Sequence, residues 1–216
     1  MPLNAESIRK RYTGMVTNHY DLPISHFFNQ YKVNAFNESS LKQGDKVVVF
    51  CCGTGLDFPH IQKKIGETGK IVGLDFSADM LKIAQKRINR KGWRNIDLFE
   101  EDVTSISDSI NKNFDVGVCT LGLSIIPEYI KAYENLLGIV KSGGEIIIGD
   151  AQFASGWKSI FNPIIILMGR RYGASEEGHK NSLVLYRRME KDLANVKKRT
   201  FFLDMYFYSI EKKKLR

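Results

Sequence analysis

The sequence predicts an α/β fold: a doubly wound, mostly parallel sheet with helices on both faces. Three features of the chain support this prediction. From residue 45 onward, short apolar segments alternate with segments of helical periodicity, the pattern of right-handed strand–helix–strand crossovers. The first apolar segment, Val47–Cys52, has the composition of a strand buried on both faces. The last part of the chain instead holds two adjacent strand-like segments, which predict an antiparallel pair.

Local signals place the individual elements. Ser77 is a good helix N-cap, Pro59 is permitted in the first turn of a helix, and Lys141-Ser-Gly-Gly144 ends another helix. The predicted strands are Val47–Cys52, Lys70–Asp75, Ile96–Phe99, Phe114–Thr120, Glu145–Asp150, Arg199–Leu203 and Met205–Ile210. The predicted helices are Leu56–Ile65, Ala78–Arg90, Pro127–Val140 and Leu183–Val196. Together these elements form a seven-stranded, Rossmann-like sheet.

The first 44 residues differ from the rest, because they are polar and aromatic with helical spacing. One helical stripe is formed by Ile8, Tyr12, Met15, Val16 and Tyr20, and a second helix is predicted over Ile24–Phe36. We therefore predict a single domain over residues 1–216, with an N-terminal helical lid over residues 1–44 and a Rossmann-like core over residues 45–216.

Composition indicates an ordinary globular protein, with 43% hydrophobic and 26% charged residues. The longest apolar candidate, Ile160–Met168, is interrupted by Asn162 and Pro163 and falls short of the ~20 residues that a transmembrane helix needs. The N-terminus has no basic-then-apolar signal pattern, so we expect a cytoplasmic location. The three cysteines lie in apolar segments without spaced histidines, and we expect neither a disulfide framework nor a metal site.

Positive charge is concentrated at the C-terminal end. The net charge is +8, and the segment from His179 onward has eleven Lys/Arg against four Asp/Glu. Such a basic segment suits an anionic partner, either nucleic acid or a membrane surface, or it is a solvated charged face.

The central motif is Val47-Val-Val-Phe-Cys-Cys-Gly-Thr-Gly55, a buried strand followed by a glycine turn and a helix start. Open α/β sheets bind ligands at the carboxyl ends of their strands, and glycine lets a ligand approach the backbone closely. Twenty residues after Gly55, Asp75 ends the second strand, where a carboxylate accepts hydrogen bonds from ribose hydroxyls. Phe58 replaces the third glycine of a dinucleotide turn, and no Gly-Lys-Ser/Thr follows, so the turn suits a nucleoside without a pyrophosphate.

These motifs resemble those of the class I methyltransferases that depend on S-adenosylmethionine (SAM) and release S-adenosylhomocysteine. Gly73-Leu-Asp75-Phe-Ser-Ala-Asp-Met80, Glu101-Asp102-Val103, the strand over Phe114–Thr120 and Lys141-Ser-Gly-Gly match the family's further motifs in order. The resemblance implies that Asp75 holds the ribose, that residues up to Met80 pack on the adenine, and that Asp102 reaches the adenine amino group. The cofactor-binding residues that it implies are Tyr20, Cys51, Gly53, Thr54, Gly55, Asp75, Phe76, Met80, Asp102, Val103 and Thr120.

Two positions depart from the family pattern. Val49 stands where the family usually has Asp or Glu, and Cys51 stands where the first glycine belongs. The missing carboxylate removes an expected contact with the methionine end of SAM, and the sulfur of Cys51 narrows the site.

Within the class, the chain is similar to ubiquinone/menaquinone methyltransferases and to bacterial phosphatidylethanolamine N-methyltransferases. The similarity rests on Tyr20-Asp21, Gly53-Thr-Gly-Leu-Asp-Phe-Pro59, Leu123-Ser-Ile-Ile-Pro127 and Phe201-Phe-Leu-Asp-Met-Tyr-Phe-Tyr208. It implies a lipid or another hydrophobic or amine small molecule as methyl acceptor, and peripheral contact with an anionic membrane.

The chemistry requires an acceptor held in line with the activated methyl group and sheltered from water. Candidates for proton transfer are Tyr20, His19 and Tyr12, with His26 a further pocket candidate; packing is the alternative for each. Arg170, Arg171 and Lys180 are candidates to receive a lipid phosphate, or belong to a solvated loop.

Two other functions stay open. The basic C-terminus suits methylation of RNA or protein, although Thr120-Leu-Gly-Leu stands in place of an Asn/Asp-Pro-Pro-Tyr-type motif. Val49 and Cys51 suit a non-catalytic scaffold that retains the fold. The sequence identifies neither the acceptor, nor the general base, nor the oligomeric state.

Overall fold

The computed structural model describes residues 8, 10, 12, 21–169 and 175–214. The helices in this part of the chain are α1 (Asp21–Glu38), α2 (Phe58–Ile65), α3 (Ala78–Lys91), α4 (Tyr129–Ile139), α5 (Asn162–Gly169) and α6 (Glu176–Asp192). The strands are β1 (Lys46–Phe50), β2 (Lys70–Asp75), β3 (Ile96–Glu100), β4 (Phe114–Thr120), β5 (Val140–Ala151), β6 (Leu193–Phe201) and β7 (Tyr206–Lys213). Short 3₁₀ turns span Leu123–Ile125 and Gly156–Phe161.

The strands form one seven-stranded sheet in the order β3-β2-β1-β4-β5-β7-β6. Strands β1 to β5 pair in parallel, whereas β7 is antiparallel to both β5 and β6. This arrangement confirms the predicted fold: a mostly parallel sheet that ends in an antiparallel pair. Because the strand order reverses at β1 and β4, the carboxyl ends of these strands border a crevice.

Both faces of the sheet are covered by helices. On one face, α1 to α3 pack residues such as Phe36, Ile61 and Leu81 against the strands. On the other face, α4 and α6 contribute residues such as Leu136 and Leu185. The sequence explains the helix ends: Ser77 accepts a hydrogen bond from the Met80 N–H at the start of α3, which is the predicted cap.

The structure corrects the predicted boundaries in two places. The predicted helix Leu183–Val196 is wrong at both ends, because α6 begins at Glu176 and because Leu193 and Ala194 already pair with β7. Strand β5 begins at Val140 rather than at Glu145, and residues 141–144 form a bulge opposite β4, with Gly143 at φ 73°. The pairing partners in both places are distant in sequence, so tertiary contacts decide the conformation of short segments that local propensity leaves ambiguous.

No helix in the described ranges is both long enough and apolar enough to cross a bilayer.

Candidate functional site

A cleft lies at the carboxyl ends of β1, β2 and β4, at the predicted edge of the sheet. Its empty volume is about 400 Å³, including its open mouth. The residues that line it are Ile8, Tyr12, Cys51, Gly53, Asp75, Phe76, Met80, Leu121, Gly122, Ile125 and Ile126. Five of the predicted cofactor residues are therefore together at the cleft: Cys51, Gly53, Asp75, Phe76 and Met80.

Asp75 is the polar centre of the cleft. Its two carboxylate oxygens accept hydrogen bonds from the backbone N–H groups of Gly53 (2.8 Å) and Ser77 (2.9 Å). These bonds fix the orientation of the carboxylate. Burial raises the pKa of Asp75 to about 6, so the group is mostly ionised at neutral pH and can accept further hydrogen bonds from ligand hydroxyls.

An apolar wall adjoins Asp75. Ile8, Tyr12 and Met80 are buried in one cluster, against which Phe76 and Ile125 pack. The backbone oxygen of Tyr12 accepts a hydrogen bond from the Ser77 hydroxyl (2.7 Å), so the chain around Tyr12 is tied to the end of β2. Tyr12, a candidate for proton transfer, therefore both lines the cleft and packs with its ring edge-on to Phe76.

Cys51 adopts a conformation that normally favours glycine. Its φ is 51°, in the left-handed region that costs a non-glycine residue about 1 kcal/mol or more. Gly122 leaves room for its side chain, because a Cβ there would lie 2.6 Å from Cys51 Cβ and 2.9 Å from its Sγ. A hydrogen bond with the Cys119 thiol, together with burial, raises the pKa of Cys51 well above its ordinary value.

Val49 does not reach the cleft. It is fully buried in β1, between Gly73 of β2 and Val118 of β4. Strand β1 therefore supplies no carboxylate to a ligand, as its sequence predicts. Gly55 has φ 75° and packs against the ring of Phe58, which also contacts Gly73. The space that a third glycine would leave open is filled by this aromatic ring.

Other predicted cofactor residues lie away from the lining of the cleft. Thr54 is buried and donates a hydrogen bond to Asp21 (2.5 Å). Val103 is part of the core, and Asp102 is exposed and accepts hydrogen bonds from both the N–H and the hydroxyl of Thr104. Thr120 is buried at the end of β4.

The candidates for the acceptor side are mostly outside the described residues. His19, Tyr20, Arg170 and Arg171 lie there, as does the side chain of His26. Lys180 is described: it is exposed on α6 and forms an ion pair with Glu176 (2.8 Å).

A buried ion pair that the sequence analysis missed connects α1 to the glycine turn. Lys32 Nζ lies 2.8 Å from Asp57 Oδ1 and donates a hydrogen bond to Thr120 Oγ1 at 3.0 Å. Thr120 in turn donates to Asp57 Oδ2 at 2.6 Å. Arg87 and Thr54 bind Asp21 at the other end of α1, so α1 is held at both ends, with the glycine turn contacted at each. Only the placement of Asp57 just before α2 hinted at a structural role.

A second contact that the sequence analysis missed joins the end of β5 to the 3₁₀ turn after β4. Asp150 ends the buried part of β5 and accepts hydrogen bonds from the N–H (2.8 Å) and hydroxyl (2.6 Å) of Ser124. Burial raises the pKa of Asp150 to about 6. Ser124 precedes Ile125, a lining residue of the cleft, so this pair fixes the turn that carries Ile125.

His179 on α6 lies beside the same 3₁₀ turn, because its neighbour Gly178 approaches the backbone of Ser124. Its Nδ1 is 2.7 Å from the carbonyl oxygen of Ser175. A carbonyl only accepts, so Nδ1 carries the proton and Nε2 is an unprotonated acceptor. Nε2 is buried without a hydrogen-bond partner among the described residues, and burial lowers the pKa of His179, which keeps the ring neutral.

Comparison with known proteins identifies the family. The ubiE/COQ5 methyltransferase family matches residues 5–154. The chain belongs to this family. It is a SAM-dependent methyltransferase, and the scaffold interpretation gives way to that of an enzyme.

Relatives and solved structures agree with this membership. The chain is 27% identical to demethylmenaquinone methyltransferase from Staphylococcus carnosus (strain TM300), over 81% of this chain and 75% of the relative. It is 29% identical to demethylmenaquinone methyltransferase from Desulfitobacterium hafniense (strain Y51), over 81% and 70%.

Among solved structures, an O-methyltransferase family protein from Burkholderia thailandensis has a TM-score of 0.72 at 16% identity, covering 100% of this chain and 64% of the other. A putative SAM-dependent methyltransferase from Methanococcus maripaludis has a TM-score of 0.66 at 22% identity, covering 100% and 98%. Both solved structures have the same fold as this chain.

Proposed function

We propose that this ubiE/COQ5-family enzyme methylates the ring of a demethylmenaquinone-type quinol, an aromatic acceptor with an apolar tail. The observation that carries the proposal is the composition of the cleft: the oriented carboxylate of Asp75 shares the lining with apolar side chains that include Leu121, Ile125 and Ile126. The carboxylate suits the hydroxyls of a nucleoside, and the apolar side chains suit an aromatic ring. The names of the two relatives point to the same acceptor.

The lining of the cleft fits SAM. The oriented carboxylate of Asp75 would accept the ribose hydroxyls, Phe76 and Met80 would pack on the adenine, and Gly53 would let the cofactor approach the backbone. When bound, SAM supplies a methyl group activated on a sulfonium, and S-adenosylhomocysteine is the product. Tyr20, Thr54, Gly55, Asp102, Val103 and Thr120 stay in the proposal as cofactor-site residues on the family resemblance.

The protein's own contribution is to position the acceptor, exclude water and accept a proton. The apolar side chains that line the cleft position the acceptor and exclude water, since an aromatic ring held against them displaces water. His19, Tyr20 and Tyr12 remain candidates for proton transfer.

On the acceptor side, Arg170, Arg171 and Lys180 are proposed to receive an anionic headgroup. We also propose that the enzyme works in the cytoplasm, in peripheral contact with a membrane that holds its apolar acceptor.

The test begins with titration calorimetry of S-adenosylhomocysteine into the wild type and Asp75→Asn. Loss of a charged acceptor costs about 1.5–3 kcal/mol per hydrogen bond, so we expect the variant to bind about ten- to a hundredfold more weakly. Wild-type affinity should also fall as pH drops below about 6, where Asp75 takes up a proton. Asp97→Asn, at an exposed position of β3, is the matched control and should bind like the wild type.

Methyl transfer is then measured by mass spectrometry with a reduced demethylmenaquinone analogue, phosphatidylethanolamine and RNA as separate acceptors. We expect a methylated quinol. Methylation of the lipid amine or of RNA alone would overturn the proposed acceptor, and wild-type affinity in Asp75→Asn would overturn the proposed cofactor site.

A further inference from the structure

The segment after β5 exposes large apolar side chains. It consists of the 3₁₀ turn Gly156–Phe161 and helix α5. Trp157, Ile160, Ile164 and Leu167 are 71%, 68%, 55% and 68% exposed. Scattered single apolar residues are normal on a surface, but four in one short segment are not.

The spacing places these four side chains on one side. They follow one another at intervals of three, four and three residues, the spacing of a single helix face. The turn and α5 are continuous in sequence, so the four side chains form one apolar stripe. Phe161 and Ile166, between them in sequence, are only partly exposed, which shows that the segment packs on the protein through its other side.

A neighbouring turn extends this stripe. Phe202 and Leu203, between β6 and β7, are 57% and 41% exposed. Lys158 Nζ lies 2.6 Å from Asp204 Oδ2, so the two segments adjoin. We call the six exposed side chains the apolar surface: Trp157, Ile160, Ile164, Leu167, Phe202 and Leu203.

Positive charge borders the apolar surface. Strand β6 carries Lys197, Lys198 and Arg199 just before Phe202. Of these, Lys198 lies over the rings of Tyr186 and Phe207, and Arg199 is paired with Glu38 at 3.4 Å. Asp204, the one acidic residue of the turn, is paired with Lys158. Basic residues beside an apolar patch complement a bilayer with anionic headgroups. A second copy of the chain would bring a further charge of +8, which opposes self-association.

The apolar surface lies at the same edge of the sheet as the cleft. Strands β5 and β6 run parallel to β1, so their carboxyl ends share the edge that holds the cleft. Asn162 and Ala154 exchange two hydrogen bonds, and these tie the start of α5 to the end of β5. We infer that the apolar surface docks onto an anionic phospholipid bilayer, with Trp157 at headgroup level. The inference rests on the proposed function in one respect: an apolar acceptor would then enter the cleft from the bilayer.

The experiment measures binding of the full chain to vesicles. Phosphatidylcholine vesicles with and without phosphatidylglycerol are sedimented with the wild type, with Ile160→Ser/Leu167→Ser, and with Phe99→Ser. Phe99 is an exposed apolar residue on β3, at the opposite end of the sheet. We expect the wild type and Phe99→Ser to bind vesicles that contain phosphatidylglycerol. The bound fraction of the double variant should be at least about fivefold lower than that of the wild type.

Fluorescence gives a second measurement, because the chain has two tryptophans, Trp93 and Trp157. In Trp93→Phe, the emission of Trp157 should shift to shorter wavelength when anionic vesicles are added. Thermal unfolding confirms that each variant is folded. Equal vesicle binding by the double variant, or no binding by the wild type, would overturn the inference.

Two controls separate this inference from other outcomes. If sedimentation velocity without lipid shows a dimer that the double variant dissolves, the apolar surface is a contact between two copies and the inference is wrong. Calorimetric binding of S-adenosylhomocysteine, and methyl transfer to a water-soluble quinol, should be unchanged in the double variant. A failure of those two assays in the wild type would count against the proposed function, whatever the vesicles show.

Discussion

Two segments follow strand ends at the same edge of the sheet, and they differ in what they bury. After β1, the turn at Gly53 and Gly55 leads to Asp57, which is buried against Lys32 and Thr120. After β5, the segment Gly156–Gly169 leaves Trp157, Ile160, Ile164 and Leu167 exposed to solvent. The first segment is therefore coupled to the rest of the fold through buried polar groups, while the second is attached through partly exposed groups: two hydrogen bonds between Asn162 and Ala154 and an ion pair between Lys158 and Asp204. We therefore expect substitutions in the first segment to cost more stability than substitutions in the second.

The largest expected effect tests the coupling of the first segment. Lys32→Met removes one partner of a buried ion pair and leaves Asp57 without its counter-charge, which costs about 3–5 kcal/mol of the free energy of unfolding. Urea denaturation measures this cost. The matched control is Lys70→Met, which breaks an exposed pair with Asp97 and should cost about 1 kcal/mol or less. Equal losses in the two variants would contradict the difference between the two segments. Partial recovery in Lys32→Met/Asp57→Asn would show that the unpaired charge of Asp57 causes the loss.

The next largest effect is a pH dependence of stability caused by Asp150, at the end of β5. The pKa of Asp150 is about 6 in the folded protein, against about 3.9 for an unperturbed aspartate. Between these values the folded state binds more protons than the unfolded state, so the free energy of unfolding falls as pH rises from about 4 to 6. The fall amounts to about 2–3 kcal/mol for this group.

Asp150→Asn should remove that part of the pH dependence. Denaturant unfolding at pH 4 and pH 7 measures it as the difference between the wild-type and variant slopes. Asp75, whose pKa is also about 6, contributes in the same direction and remains in both proteins. Parallel curves would show that Asp150 is solvated, which would contradict its burial at the end of β5.

The smallest effect on global stability is expected in the second segment. Asn162→Ala removes the two hydrogen bonds to Ala154, at 2.9 Å and 3.1 Å. Because Asn162 is partly exposed and the segment keeps its ion pair between Lys158 and Asp204, the free energy of unfolding should fall by about 1 kcal/mol or less. Amide hydrogen exchange over residues 156–169, followed by mass spectrometry, should accelerate several-fold. Ser159→Ala, which removes a bond within the turn, is the control; a loss as large as that of Lys32→Met would contradict the weaker attachment of this segment.

The sequence predicted the sheet because the signals for its strands are local. Val47-Val-Val-Phe50 and Phe114–Thr120 have the composition of buried strands wherever they pair, and the structure confirms both. Leu193–Val196 has no such signal, since its strand conformation depends on pairing with β7. Local composition cannot show a partner that lies in another part of the chain.

The same distinction holds at the cleft. Asp75 and Met80 lie in one motif, so their juxtaposition at the cleft could be predicted from spacing. The pair of Lys32 and Asp57 joins two segments separated by a strand and a turn, and no spacing rule connects them. The roles assigned to Asp102 and Lys180 remain predictions. In the structure, Asp102 accepts a hydrogen bond from Thr104 and Lys180 is paired with Glu176, both at the protein surface.

The thiols near the cleft have a consequence for chemical selectivity. A sulfonium methyl group is an electrophile, and a cysteine reacts with electrophiles through its thiolate rather than its thiol. Burial, and the contact between Cys51 and Cys119, raise the pKa of Cys51, and burial raises that of Cys52. Both sulfurs are therefore protonated at neutral pH. With SAM bound in the cleft as proposed, the protonated thiol of Cys51 would keep the enzyme from alkylating itself.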